Sequence, residues 1–450
     1  MKILIQGGRL IDPASQTDRV ADVAIAAGRI IGIGPVRPDF APDRVLDASD
    51  CLVVPGLVDL CLRLREPGQE HAGMLESELG AALAGGVTSL VCPPDTDPVL
   101  DEPGLVDMLK ARAQKLRQAR VFPLGALTRG LKGEALTEMV QLSQAGCIGF
   151  GQAEVPIVNS QVLQRALQYA ATFGYSVWLR PQDFWLGNGV VASGPLATRM
   201  GLSGIPVAAE VLAVHTALEL LRGVQASPVS PTSSSGPGVR LHLCRLSSAA
   251  AVALVRQAKA AGLPLTCDVS VHNLHLCDAD IGHYDTRARL QPPLRQSSDR
   301  AALRAALADG SIDALVSDHN PVAADAKVQP FAEAEPGATA VELLLGLALQ
   351  WAAEEQVPLL RAIEVLTAGP ARVLGASLGT LQASLGRISE GGVADLCLID
   401  PQRAWTVAGA ALRSQGRLTP FEGRELSARV RATLVGGQVV FDAAALPGQA

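Results

Sequence analysis

At 450 residues with a net charge of −6, the chain is too long for one ordinary domain and has no basic footprint for nucleic acid. Aliphatic residues dominate and aromatics make up only 3%, so a large core of Ala, Val and Leu is within reach. No apolar run reaches the ~20 residues that cross a bilayer. The start, Met1 to Gly8, lacks a signal-peptide apolar region. Eight cysteines are scattered without a Cys-x-x-Cys pair, which makes a reducing cytoplasm the expected compartment.

In chain order, residues 1–53 alternate short β-like runs (Ile3-Leu4-Ile5, Val23-Ala24-Ile25, Arg29 to Ile33, Arg44 to Asp47) with Gly, Pro and Asp turns. Residues 381–450 answer with Ala394 to Asp400, Val430 to Val435 and Gly437 to Phe441. Two β-rich ends around a long middle predict one composite β-sandwich built from both termini. From 54 to 380, eight strand-like runs alternate with Ala/Leu-rich helical segments. They are Leu57 to Leu64, Val87 to Val91, Arg120 to Leu124, Cys147 to Phe150, Tyr175 to Leu179, Val239 to Leu243, Leu265 to Val269 and Ala314 to Ser317. Eight β-α alternations predict a (β/α)8 TIM barrel, whose functional residues sit at the C-terminal ends of its strands. Gln225 to Gly238 is rich in Ser, Pro and Gly and reads as a surface loop before the sixth strand.

The chain is organised around Val54-Pro55-Gly56-Leu57-Val58-Asp59-Leu60-Cys61-Leu62-Arg63-Leu64-Arg65-Glu66-Pro67-Gly68. Cys61 and Arg63 stand two apart, so strand geometry turns them to one face. This stretch resembles the first barrel strand of the dihydroorotases and the wider amidohydrolase superfamily of metal-dependent hydrolases. There the same frame carries a His-x-His pair that holds the metal. Here Cys61 and Arg63 occupy those two places.

The resemblance can be followed strand by strand. After the fourth strand the family has a carboxylated Lys or an Asp-Asp-Gly turn, and Gly149 to Ala153 offers neither. Arg180, in Leu179-Arg180-Pro181-Gln182-Asp183, stands where the fifth strand has a ligand His. Arg245, in His242-Leu243-Cys244-Arg245-Leu246-Ser247, stands in place of the sixth strand's. Asp318, in Asp318-His319-Asn320-Pro321-Val322, matches the family's general base and metal ligand and is kept as a vestige, with His319 beside it. Arginine is always protonated and has no lone pair to donate, so this set predicts no metal and no working hydrolase. Zinc is expected only if the chain is an active dihydroorotase after all.

Arg65 matches the arginine that grips the substrate carboxylate in the family, and its first reading is a buried ion pair with Glu66 or Asp318. The sharper reading is a remnant anion pocket of Arg63, Arg65, Arg180 and Arg245, with Gln291 where the family has Asn. His272 and His275 read as structural, Ser247-Ser248 as a helix N-cap, and Cys61 as a core thiol rather than a nucleophile.

The resemblance runs through almost the whole chain, including Gly201 to Pro206, Gln291 to Arg295 and Thr367 to Gly375. It is similar to the inactive dihydroorotase-like chains of bacterial pyrimidine synthesis. It implies a non-catalytic partner of aspartate carbamoyltransferase, present as a homo-oligomer or within a dodecamer. The alternative reading is an active dihydroorotase. A third is a small-anion binding protein that uses the arginine-lined pocket.

Overall fold

The computed structural model describes residues 1–35, 38–226 and 238–445. Most of the Ser/Pro/Gly-rich stretch before the sixth strand lies outside them. Eight parallel strands form the barrel: β1 (Leu57–Asp59), β2 (Val87–Cys92), β3 (Arg120–Pro123, prolonged by Gly125–Ala126) and β4 (Phe150–Gly151), then β5 (Ser176–Leu179), β6 (Arg240–Leu243), β7 (Leu265–Ser270) and β8 (Ala314–Val316). Neighbours pair in parallel throughout, as in Val177 opposite Leu241 and Ser270 opposite Val316. The ring closes just beyond β1 and β8, where Leu62 bridges His319 and Arg63 N donates to His319 O at 2.9 Å. Asp59 adds to this seam by accepting from Ser317 N at 3.2 Å and from the Ser317 hydroxyl.

Strand alternation divides the apolar side chains between two layers. Val58, Val91, Leu124, Trp178 and Val316 pack together inside the barrel. Leu57, Leu90, Val177, Leu241 and Leu315 face the surrounding helices. The helices are amphipathic for the same reason. In Ala249–Ala260, Ala251, Val252, Val255 and Ala258 form one buried stripe. Ser248 caps that helix by accepting from Ala251 N at 3.2 Å, as the Ser-Ser pair predicted.

Both termini build the sandwich. A six-stranded sheet runs in the order 438–442, 429–435, 396–400, 52–55, 9–12 and 17–20, so strands from the two ends lie side by side. Leu52–Pro55 pairs antiparallel with Leu396–Ile399. A four-stranded sheet from the N-terminal part packs against it through Ile3, Ile25, Val53 and Leu398. The hairpin between Val23–Ala26 and Arg29–Ile33 turns at Ala27 and Gly28, with φ of 51° and 78°. Positive φ at both central residues is what a tight two-residue hairpin needs.

Candidate functional site

At the C-terminal mouth of the barrel four of the residues singled out from the sequence, Arg63, Arg180, Arg245 and Asp318, converge, joined by two that sequence reasoning did not place. Arg63, on the segment following β1, is buried. Its Nη2 lies 2.7 Å from Glu154 Oε1 and its Nε 2.8 Å from Asp95 Oδ2. Arg245, just past β6, places Nη2 2.5 Å from the same Glu154 oxygen and Nη1 2.9 Å from Asp318 Oδ1. Arg180, just past β5, sets its Nε against the other Glu154 oxygen and donates from Nη2 to the Glu154 carbonyl at 3.0 Å. Three guanidiniums (+3) therefore face three carboxylates (Asp95, Glu154 and Asp318, −3), and the cluster sums to zero.

Glu154 is the hub. It follows β4 after Ala153, whose φ of 48° turns the chain back over the mouth. Burial alone would push its carboxyl up, but Arg245, Arg180 and Arg63 outweigh burial and hold it well below the usual carboxylate range. For Asp318 burial prevails over Arg245 and Arg63, and its carboxyl is pushed up. The sequence reading stopped at Ala153 and so counted one acid against three arginines. An acid within four residues of the end of β4 was the available signal.

Two supports fix Arg245. Its backbone is left-handed, with φ of 55°, and its N–H donates to Asp268 Oδ1 at 2.6 Å. The other Asp268 oxygen lies 2.8 Å from His242 Nε2, and His242 Nδ1 lies 2.8 Å from Thr266 Oγ1. His242, Cys244 and Asp268 are the only trio of metal-type side chains grouped this tightly among the described residues. Both His242 nitrogens are already engaged, and burial pushes the Cys244 thiol well above its ordinary value.

Several expectations need correction. Arg65 pairs with neither Glu66 nor Asp318. At φ 61° its backbone leaves the strand, and its guanidinium reaches Pro321 O at 2.8 Å, Gln69 Oε1 at 2.5 Å and Glu335 at 3.4 Å. Glu66 instead takes Arg112 and Leu75 N. The anion pocket expected from Arg63, Arg65, Arg180, Arg245 and Gln291 is occupied by carboxylates, and Gln291 meets Arg245 through its backbone carbonyl at 3.3 Å. Cys61 lies 3.7 Å from Asp318 Oδ1, and burial raises its thiol well above the ordinary value, which removes the thiolate a nucleophile requires.

The histidines serve the framework. His319 Nε2 lies 2.7 Å from the buried Glu78, while its Nδ1 accepts from Ala340 N at 3.2 Å. His275 bonds Leu347 O at 2.9 Å, and His272 stacks on Phe421 with ring centroids 5.6 Å apart. A divalent cation needs converging lone pairs. Arg63, Arg180 and Arg245 present only N–H groups and positive charge, so these residues do not fit the metal of this fold.

Two family models cover the chain, Dihydro-orotase-like over residues 50–227 and Amidohydrolase family over 237–440. A Dihydroorotase-like protein of Pseudomonas aeruginosa is 43% identical, with 98% of this chain and all of that one covered. A protein named Dihydroorotase from Geobacter sp. is 37% identical, again with 98% of this chain and all of that one covered. The fold is similar to that of an L-hydantoinase from Arthrobacter aurescens, with a TM-score of 0.85 at 22% identity, covering 98% of this chain and 96% of that one. The chain belongs to the dihydroorotase-like proteins of the amidohydrolase superfamily.

Proposed function

We propose that this chain is a non-catalytic dihydroorotase-like subunit that holds aspartate carbamoyltransferase chains in an assembly for pyrimidine synthesis. One observation carries the first half of the reading. The places that match the family's ligand histidines hold Cys61, Arg63, Arg180 and Arg245, and the three arginines are closed into ion pairs with Asp95, Glu154 and Asp318. A centre of this kind cannot acidify a water, because that requires a bound cation.

The assembly half rests on the family likeness, since a fold by itself does not give a role. It is supported by an apolar groove of about 250 Å³ beside the mouth. Trp185, 72% exposed, lines it together with Val155, Val158, Phe184 and Leu212. Exposed apolar side chains concentrated in one place mark contact surfaces. The test is sedimentation of the chain alone and co-expressed with the transferase chain of the same organism. Co-migration as one large species, with transferase activity that depends on this chain, is the expected result. Independent sedimentation overturns the assembly role.

The second reading, an active dihydroorotase, is favoured by the relatives that carry that name at 36–39% identity. Stoichiometric zinc together with ring opening of dihydroorotate would establish it.

A further inference from the structure

A separate cavity, of about 350 Å³, is lined by residues 187–190 after β5, by Ser203 and Ile205, and by Arg289, Leu290 and Gln291. It shares no lining residue with the groove at Trp185, and none of the paired arginines of the mouth reaches it. Two of its walls are nevertheless anchored from the mouth. Arg245 Nη1 meets Gln291 O at 3.3 Å. Gln182, which takes Arg180 on its Oε1, donates from Nε2 to Gly187 O at 3.2 Å. A volume of this size suits a small organic molecule.

Arg289 is the one charged residue of this lining, and no acid lines it. The side chain is half-buried, and among the described residues it has no ion pair and no hydrogen bond, its buried Nε included. Burial lowers its proton affinity, with no carboxylate to offset that effect. The acids close by are already taken: Asp285 pairs with Arg287 at 2.7 Å and Glu335 with Arg65 at 3.4 Å. The buried Lys327 adds a second positive charge behind the cavity. Its ammonium donates to Thr286 O at 2.9 Å and Arg289 O at 3.0 Å, and burial together with Arg289 pulls it down to about 7. A guanidinium withdrawn from water without a counter-charge costs folding free energy, so this position lacks an anion that the chain itself does not supply. The side chains of Asn188, Ser203 and Gln291 likewise have no hydrogen-bond partner among the described residues, and all three line the same space.

We propose that this cavity binds a small organic monocarboxylate, its carboxylate on Arg289 and its amide- or hydroxyl-bearing body against Asn188, Ser203 and Gln291. One guanidinium matches one carboxylate through two parallel N–H···O bonds. A single lining cation balances a single negative charge and would leave a phosphate dianion half compensated. The backbone of Arg289 is fixed on both sides of the contact, its carbonyl accepting from Lys327 Nζ and from Gly337 N, each at 3.0 Å. Val190, Ile205 and Leu290 supply apolar wall for the carbon skeleton.

The experiment is a saturation-transfer NMR titration of the full chain with N-acetylglycine and L-lactate, against neutral N-acetylglycinamide and inorganic phosphate. At least one carboxylate should bind with a Kd below about 10 mM. The amide and phosphate should bind at least about tenfold more weakly, the scale of a lost charge-assisted hydrogen bond. Arg289→Gln should weaken carboxylate binding by the same factor. Should that variant fail to fold, Ser203→Asp is the second test. It places a carboxylate at an exposed position of the lining, leaves Arg289 in place, and should weaken binding at least about threefold by charge repulsion. Failure of both carboxylates to bind, equal binding of the amide or of phosphate, or undiminished binding in a folded Arg289→Gln or in Ser203→Asp would each overturn the proposal.

Discussion

Arg245 holds Asp318: the guanidinium Nη1 sits 2.9 Å from the carboxylate Oδ1. In the family's pattern these two positions would both face a metal, one as histidine and one as aspartate. Here one has become the counter-charge of the other. The same guanidinium reaches Glu154, so a single side chain closes two ion pairs at the centre of the mouth.

Removing it should be costly. Arg245→Ala leaves the buried Asp318 and the half-buried Glu154 with fewer partners, and breaking a buried pair from one side typically costs about 3–5 kcal/mol. Denaturant unfolding should show that loss as a lower midpoint. A change below ~0.5 kcal/mol, the scale of an ordinary surface substitution, would mean that the network contributes little.

Glu154 links stability to acid. Its carboxyl is held below the ordinary range in the folded chain, so the unfolded chain binds the proton more readily. The resulting stability is fully present above the unfolded value of about 4.3 and is lost as pH falls below it towards the folded value. Wild type should therefore lose stability on acidification more steeply than Glu154→Gln. Parallel pH profiles for the two proteins would contradict the ion-pair network.

No single reversion should restore a metal. Arg63→His, Arg180→His or Arg245→His each leaves two guanidiniums in the cluster, so zinc content after dialysis should stay well below one per chain. Cys61→His combined with all three rebuilds a full set of donors. Elemental analysis of the single and fourfold variants separates these cases, and stoichiometric zinc in a single variant would refute the argument from arginine.

Trp185→Ser bears on assembly. The ring is largely exposed, so stability of the isolated chain should change by less than ~0.5 kcal/mol. Co-sedimentation with the transferase chain should weaken. Unchanged co-sedimentation would place the contact elsewhere on the surface.

Much of this was legible in the sequence because burial writes itself into patterns. All eight barrel strands fall on apolar runs that could be read directly, and the two-apart spacing of Cys61 and Arg63 turned both towards Asp318. What was not legible begins where strand periodicity ends. Ala153 and Arg65 both adopt left-handed backbone just past a strand. The first brings Glu154 over the mouth, and the second carries the Arg65 guanidinium away to Pro321 and Gln69. Strand alternation cannot foresee either turn. The pairing of Asp95 with Arg63 is a tertiary contact between the segments that follow β1 and β2, which no local pattern announces.

The most direct test of the account is ring opening of dihydroorotate by the purified chain after incubation with zinc, with metal content measured on the same sample. The arginine-filled mouth predicts no turnover above buffer and no stoichiometric zinc. Turnover accompanied by one or more zinc ions per chain would contradict it.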